Sequence, residues 1–302
     1  MKKTLLALLS AALLVTVIQP AQAEDQKVLA IIDTAIKSEN FPSVIHEVCF
    51  TTYKADCLNK SNFMEGKGAA ALSAWPVSVN ASDAYHGDAM VKAALAVNPN
   101  VKIVFIRYAE SNSVGKYTNF ADSLSRAMDW VSKNAEKYSI DAVSLSQSGL
   151  NATLSKWCTT DKATIGAVSS LNSKNIPVFA ATGNDSNATS VGFPACVSGV
   201  IGVGSLASLP DGMLETATNR GPGLDLVALG NISITKINGS QYTLAGSSGA
   251  TVISASLFLK NNKSVTFQEY LNALPKVTVK AMDRATRKLD PKFSLTIPYS
   301  SN

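Results

Sequence analysis

The sequence predicts an α/β domain in which a mostly parallel sheet is covered by helices on both faces. Short apolar runs recur along the chain, segments of helical period fall between them, and 46% hydrophobic against 16% charged residues leave ample material for a core. Runs too short for helices and bounded by turn residues read as buried strands. They are Val28 to Ile32, Lys102 to Ile106, Ala142 to Leu145, Pro177 to Ala181, Val200 to Val203 and Leu224 to Leu229. The helices between them are Gly87 to Val97, Phe120 to Tyr138 and Ala163 to Lys174. In the second, Asn119 is the expected cap, and Phe120, Leu124, Ala127, Met128, Val131, Ala135 and Tyr138 recur at three and four. Strands alternating with helices require crossover connections, which give a parallel sheet with both faces covered.

Two stretches fall outside this pattern. From 37 to 85 the periodicity breaks down and Cys49 and Cys57 appear, so an irregular, disulfide-stapled surface excursion is expected. At the end, Asp290 to Asn302 contains a short strand-like Phe293 to Ile297. No internal repeat is visible, and residues 24–302 are expected to form one domain.

The chain opens with Met1-Lys2-Lys3, an apolar run from Thr4 to Ile18, and Ala21-Gln22-Ala23. A short basic region, an apolar stretch too short for a membrane span and a small-x-small site make 1–23 a signal peptide. Export to the periplasm or beyond is expected. The net charge of +5 falls to +3 once Lys2 and Lys3 leave with the leader. No basic block points to nucleic acid and no later run is long enough to span a membrane. In an exported protein four cysteines point to disulfides rather than metal. Of the three possible connectivities, the expected one pairs Cys49 with Cys57 as a local staple and Cys158 with Cys196 across a longer loop.

The chain has only two histidines, His46 and His86. His86 opens a helix packed tightly through Gly87, Ala89, Met90, Ala93 and Ala94. Before it, Asp33 ends a buried strand; after it, Ser248 sits in Gly246-Ser-Ser-Gly249. The order Asp, His, Ser is one of the chain orders known for serine hydrolase triads. Since no histidine follows residue 86, an α/β-hydrolase esterase, whose histidine comes after its serine, is excluded. His46 lies in the irregular excursion and is expected to be structural. Ser247 competes with Ser248 as the nucleophile. Two roles fit Asn184, in Ala181-Thr-Gly-Asn184-Asp: supplying an unusual turn angle, or donating its amide to a developing oxyanion.

Taken together, Val28-Leu-Ala-Ile-Ile-Asp33-Thr-Ala-Ile36, His86-Gly87, Ala180-Ala-Thr-Gly-Asn184 and Gly246-Ser-Ser248 resemble the aspartate, histidine, oxyanion and nucleophile motifs of the subtilisin-like serine proteases. Ser144-Leu-Ser-Gln-Ser-Gly149, Val191-Gly-Phe-Pro-Ala-Cys196 and Asn219-Arg-Gly-Pro-Gly223 extend the likeness between them. The resemblance implies a subtilisin-like fold and an endopeptidase with catalytic Asp33, His86 and Ser248 and an oxyanion hole at Asn184. It implies a cleft that takes an extended peptide between Ser146, Gln147 and Ser148 on one side and Ser113, Val114 and Gly115 on the other. Gly192 maps to the floor of the specificity pocket, where a missing side chain leaves room for a bulky apolar residue, and Asp185 at the rim offers a basic one as the alternative.

Several positions depart from the family pattern. Ala35 replaces a Gly, Asp88-Ala-Met90 replaces Thr-His-Val, Ser247 replaces a Thr, and Gln147 and Ser148 stand where apolar and Gly residues are usual. Only nine residues, Glu24 to Ile32, separate the expected cleavage site from Asp33, so no propeptide domain is expected. The helix after His86 lacks the family's calcium loop; no cofactor and no metal site are predicted. A monomer acting on protein or peptide substrate is expected, and the alternative is a catalytically weak or silent relative that binds extended peptides.

Overall fold

Six consecutive buried residues, Val28–Asp33, form strand β1 in the interior of the sheet. Successive side chains of a strand point to opposite faces. Leu29 and Ile31 accordingly enter one core, and Val28, Ala30 and Ile32 the other. The structure is a computed structural model that describes residues 26–52, 55–73, 85–111, 117–118, 120–209, 211–235, 241–261 and 265–300. The expected signal peptide, 1–23, and the expected cap Asn119 lie outside the described residues.

After β1 the strands are β2 (Val44–Phe50), β3 (Phe63–Glu65), β4 (Lys102–Arg107), β5 (Glu110–Ser111), β6 (Tyr117–Thr118), β7 (Ile140–Leu145) and β8 (Val178–Ala181). They continue with β9 (Ile201–Ser208), β10 (Met213–Leu214), β11 (Leu226–Leu229), β12 (Ile232–Thr235), β13 (Gln241–Leu244), β14 (Lys276–Met282) and β15 (Leu289–Ser300). The helices are α1 (His86–Val97), α2 (Phe120–Asn134), α3 (Ala152–Thr160), α4 (Lys162–Ser173), α5 (Ser247–Asn261) and α6 (Phe267–Ala273).

The main sheet runs β10-β14-β15-β11-β9-β8-β7-β1-β4-β2-β3, and every pairing from β15 across to β2 is parallel. Helices α2 and α4 bury Leu124, Met128, Val131, Val168 and Leu171 in one core. On the other face, α1 and α5 bury Met90, Ala94, Val252, Leu257 and Phe258. Helix α5 is buried from Gly249 to Leu259 and passes against β7, β8, β9 and β11. Its run of small residues, Gly249, Ala250, Ser254, Ala255 and Ser256, is what permits that approach.

The expected α/β fold with a mostly parallel sheet is present. The irregular excursion is corrected, because Val44–Phe50 is an ordered parallel strand beside β4. Its polar centre, His46-Glu47, hides the strand pattern, yet both side chains are satisfied. Glu47, only 4% exposed, accepts the Gly68 and Ala70 N–H groups at 2.8 and 3.1 Å. His46 stacks on Tyr138 and Trp130 and lies 3.0 Å from Glu65, a structural setting. Strand β14 and the short strands β3, β5, β6, β10, β12 and β13 go beyond expectation, and β15 extends Phe293 to Ile297 to twelve residues as β14 zips against it. Cys49 is bonded to Cys57 and Cys158 to Cys196.

Candidate active site

Strands β8, β7 and β1 are neighbours and parallel, so their carboxyl ends lie at one edge of the sheet. That edge is where parallel sheets present reactive groups. It delivers Asp33, the segment Ser146 to Ser148, and Asn184. Helices α1 and α5, side by side on one face, begin with His86 and with Ser247-Ser248.

Asp33 is fully buried. Its Oδ1 accepts the Thr34 N–H at 2.7 Å and lies 2.7 Å from His86 Nδ1. The start of α1 is pinned to the end of β1, since the Gly87 N–H donates to Thr34 Oγ1 at 3.1 Å. The Gln147 amide nitrogen approaches the same His86 Nδ1 at 3.3 Å. An imidazole whose Nδ1–H faces a carboxylate carries its lone pair on Nε2, the form a general base requires. Beside the pair, burial and the Asp33 charge push the Tyr108 hydroxyl well above the usual tyrosine range.

Ser248 Oγ donates to the Ser146 carbonyl at 2.7 Å, and Ser146 Oγ donates back to the Ser248 carbonyl at 3.0 Å. This exchange fastens the first turn of α5 to the end of β7. Ser247 is fully buried, and its oxygen accepts the Gly183 N–H at 3.2 Å while donating to Asn184 Oδ1 at 3.0 Å. Ser247 is thus enclosed, whereas the neighbouring Ser248 is only half-buried. The Ser247 N–H also donates to Asn184 Oδ1 at 3.0 Å. With its oxygen held by two donors, the exposed Asn184 carboxamide turns its NH₂ end away from Ser247. Gly246 allows this: its φ of +130° suits glycine, and a Cβ there would lie 2.8 Å from Asn184 Oδ1.

A residue the sequence reading left without a role, Asn219, holds the loop that carries Asn184. Fully buried, it accepts the N–H groups of Asp185 and Asn187, each at 2.9 Å, and donates to the Thr182 carbonyl at 3.0 Å and to Asp185 Oδ2 at 2.9 Å. The one signal for it was its place at the head of Asn219-Arg-Gly-Pro. Along the cleft, Gly149 and Phe193 exchange backbone hydrogen bonds at 2.9 and 2.8 Å, which brings Gly192 against Ser148. The room expected over Gly192 is taken by the Ser148 side chain, because a Cβ on Gly192 would run into Ser148 Oγ. Ser113, Val114 and Gly115 lie outside the described residues. Among the described residues there is no group of three His, Cys, Asp or Glu side chains placed to hold a metal, and no helix is long and apolar enough to cross a membrane.

A family model described as the subtilase family matches residues 69–270, a stretch that holds His86, Asn184 and Ser248 and begins after Asp33. No curated protein sequence matches the chain. Among solved structures, proteases from Pseudoalteromonas arctica are similar at 17% identity, with 80% of this chain and 80% of that chain covered and a TM-score of 0.61. A cold-adapted subtilisin-like serine proteinase is similar at 20% identity, covering 91% of this chain and 89% of that one, with a TM-score of 0.57. The prenylagaramide maturation protease PagA is similar at 18% identity over 76% of this chain and 73% of its own, with a TM-score of 0.52. At such identities the structures speak for the fold, and the family model, matched over more than half of the residues, supplies the kinship. The chain belongs to the subtilase family of serine proteases.

Proposed function

We propose that the chain is an exported serine endopeptidase in which Ser248 attacks the peptide carbonyl, His86 takes the serine proton and returns it to the leaving amine, and Asp33 holds the imidazole and stabilises its cation. The Asn184 NH₂ group and the Ser248 backbone N–H receive the oxyanion. The observation that carries this reading is the buried Asp33 carboxylate 2.7 Å from His86 Nδ1, at the sheet edge that also bears Ser248 and Asn184. A carboxylate in that position has a function in orienting a base and none in packing a core. Ser146, Gln147 and Ser148 form one bank of a cleft for an extended peptide, and the protein acts as a monomer without cofactor. Export rests on the leader-like first 23 residues and on two disulfides, which persist in oxidising compartments.

One observation favours the second reading, a cleft that binds peptide without cutting it. The Ser248 hydroxyl, a single donor, is directed at the Ser146 carbonyl. Attack requires it to rotate about Cα–Cβ into another staggered position toward the imidazole, a tightening that catalytic groups commonly undergo only with substrate bound. Fluorophosphonate labelling followed by peptide mapping decides between the two. Stoichiometric modification of Ser248 that is lost in His86→Ala is expected; folded protein with Ser248 unmodified would establish the binding-only cleft.

A further inference from the structure

We propose that this protease cuts after a small residue whose side chain carries a hydrogen-bonding group, serine first, and that Ser148 imposes the choice. The inference builds on the hydrolytic reading of Ser248. Three segments converge beside that serine. The end of β7 is joined to it through Ser146. The loop after β8 places Gly183 directly before Asn184. Gly192 is drawn in by its N–H, which donates to the Thr182 carbonyl at 2.9 Å, and by the paired bonds between Gly149 and Phe193.

Ser148 Oγ sits in the wedge between the two glycines. A Cβ on Gly183 would lie 2.8 Å from it and one on Gly192 would collide with it. The hydroxyl is the contact the two glycines share; Gly183 is held to glycine also by its φ of +105° and by Asn219 Nδ2, and Gly192 also by the Gly149 carbonyl. That oxygen is buried and has no hydrogen-bond partner, a costly condition that native structures usually avoid or reserve for function.

A carbonyl carbon attacked by Ser248, with its oxygen toward Asn184, is bonded to the Cα of the residue before the cut. In this proposal the side chain on that Cα lies beside Gly183, against the wedge that Ser148 fills. Its volume, reduced by Ser148, rejects an aromatic ring or a long branched chain. Its chemistry rewards a side chain that reaches the orphan hydroxyl, whereas alanine would bury it unpaired. The sequence pointed to a bulky apolar residue there, or to a basic one drawn by Asp185; the Ser148 hydroxyl beside Gly183 and Gly192 favours a small polar one instead.

Fluorogenic peptides that differ only in the residue before the cut, carrying Ser, Asn, Ala, Leu or Phe, test this when kcat/KM is measured beside fluorophosphonate labelling of Ser248. Ser should exceed Ala by about tenfold and Phe by about 100-fold. In Ser148→Gly, Phe and Leu should gain at least about tenfold while the advantage of Ser disappears. Ser148→Ala keeps most of the bulk, so it should abolish the preference of Ser over Ala and still exclude Phe; labelling of Ser248 in each variant reports a formed site. A protein that labels normally but prefers Phe or Leu, with the same profile in Ser148→Gly, overturns this inference and leaves the hydrolytic reading standing. Absence of both labelling and cleavage overturns the two together.

Discussion

Truncating Ser247 to alanine isolates the device that aims the Asn184 amide. The lost hydroxyl takes with it a bond to Asn184 Oδ1 at 3.0 Å and the acceptor of the Gly183 N–H at 3.2 Å. Losing an ordinary hydrogen bond costs about 0.5–1.5 kcal/mol, and stranding a buried N–H about 1–3 kcal/mol. These overlap, so a stability loss of about 2 kcal/mol is expected in urea unfolding. Asn184 keeps the Ser247 N–H as a donor to its oxygen, so the amide is loosened rather than lost. Removing an oxyanion-hole amide costs about 10²–10³ in kcat in a subtilisin, a member of this same family whose figure is carried over here. Giving up one of the two bonds that orient it should cost about tenfold, or about 1.4 kcal/mol of barrier. KM should hold, because the oxyanion contact strengthens only in the transition state. Steady-state kinetics on a chromogenic peptide read the split, and Ser247→Thr, which keeps the hydroxyl, should retain most of kcat. A kcat within twofold of the parent would refute the clamp; abolition of turnover in a folded protein would instead make Ser247 the nucleophile.

Arg107→Met should destabilise the protein by about 3 kcal/mol, since breaking a buried pair strands its partner. Fully buried Arg107 pairs with Asp56 and donates to the Ala71 and Ala109 carbonyls at 2.8 and 3.2 Å, tying residues 56–71 to β4. A urea midpoint unchanged with the same slope would count against this, as would undiminished resistance of that segment to proteolysis. Glu65 is pushed up by partial burial, but hydrogen bonds from Tyr138 and His46 and the charges of His46 and Lys137 outweigh this and hold its carboxyl below the ordinary 4.5. A depressed carboxylate contributes stability that is present above its unfolded value and lost as pH falls through the folded one. Glu65→Gln should therefore lower Tm at pH 7, by an amount equivalent to about 0.5–1 kcal/mol for a partly exposed, screened pair. The gap between the two proteins should close in acid below 4.5; a gap constant across that range would refute the ion pair.

Legibility followed the range of the forces involved. Strands β1, β4 and β8 were readable because each has an apolar run at its centre, buried on both faces, and β7 was readable from Ala142 to Leu145, where Ser144 is the one polar residue. Strand β2 was not, since His46 and Glu47 interrupt its apolar pattern and are satisfied only by partners on other segments, Tyr138 and Glu65 for one and the Gly68 and Ala70 amides for the other. Helix α2 ends at Asn134 although its apolar spacing runs on to Tyr138. Residues 135–139 form a turn, with Ser139 at a φ of 51°. Tyr138 is apolar enough to continue the stripe, but it packs against His46 instead.

By itself the amino-acid order determined the α/β layering, the disposition of Asp33 and His86 at a strand end and a helix start, and the exclusion of hydrolases whose histidine comes last. Those properties are written in local periodicity and chain order. Which of two adjacent serines is enclosed and which is half-exposed, how Asn219 and Ser247 hold the Asn184 loop, and what packs against Gly192 were decided only in three dimensions. Each depends on hydrogen bonds and contacts between segments 30 to 100 residues apart, and strand order, not sequence proximity, sets those distances.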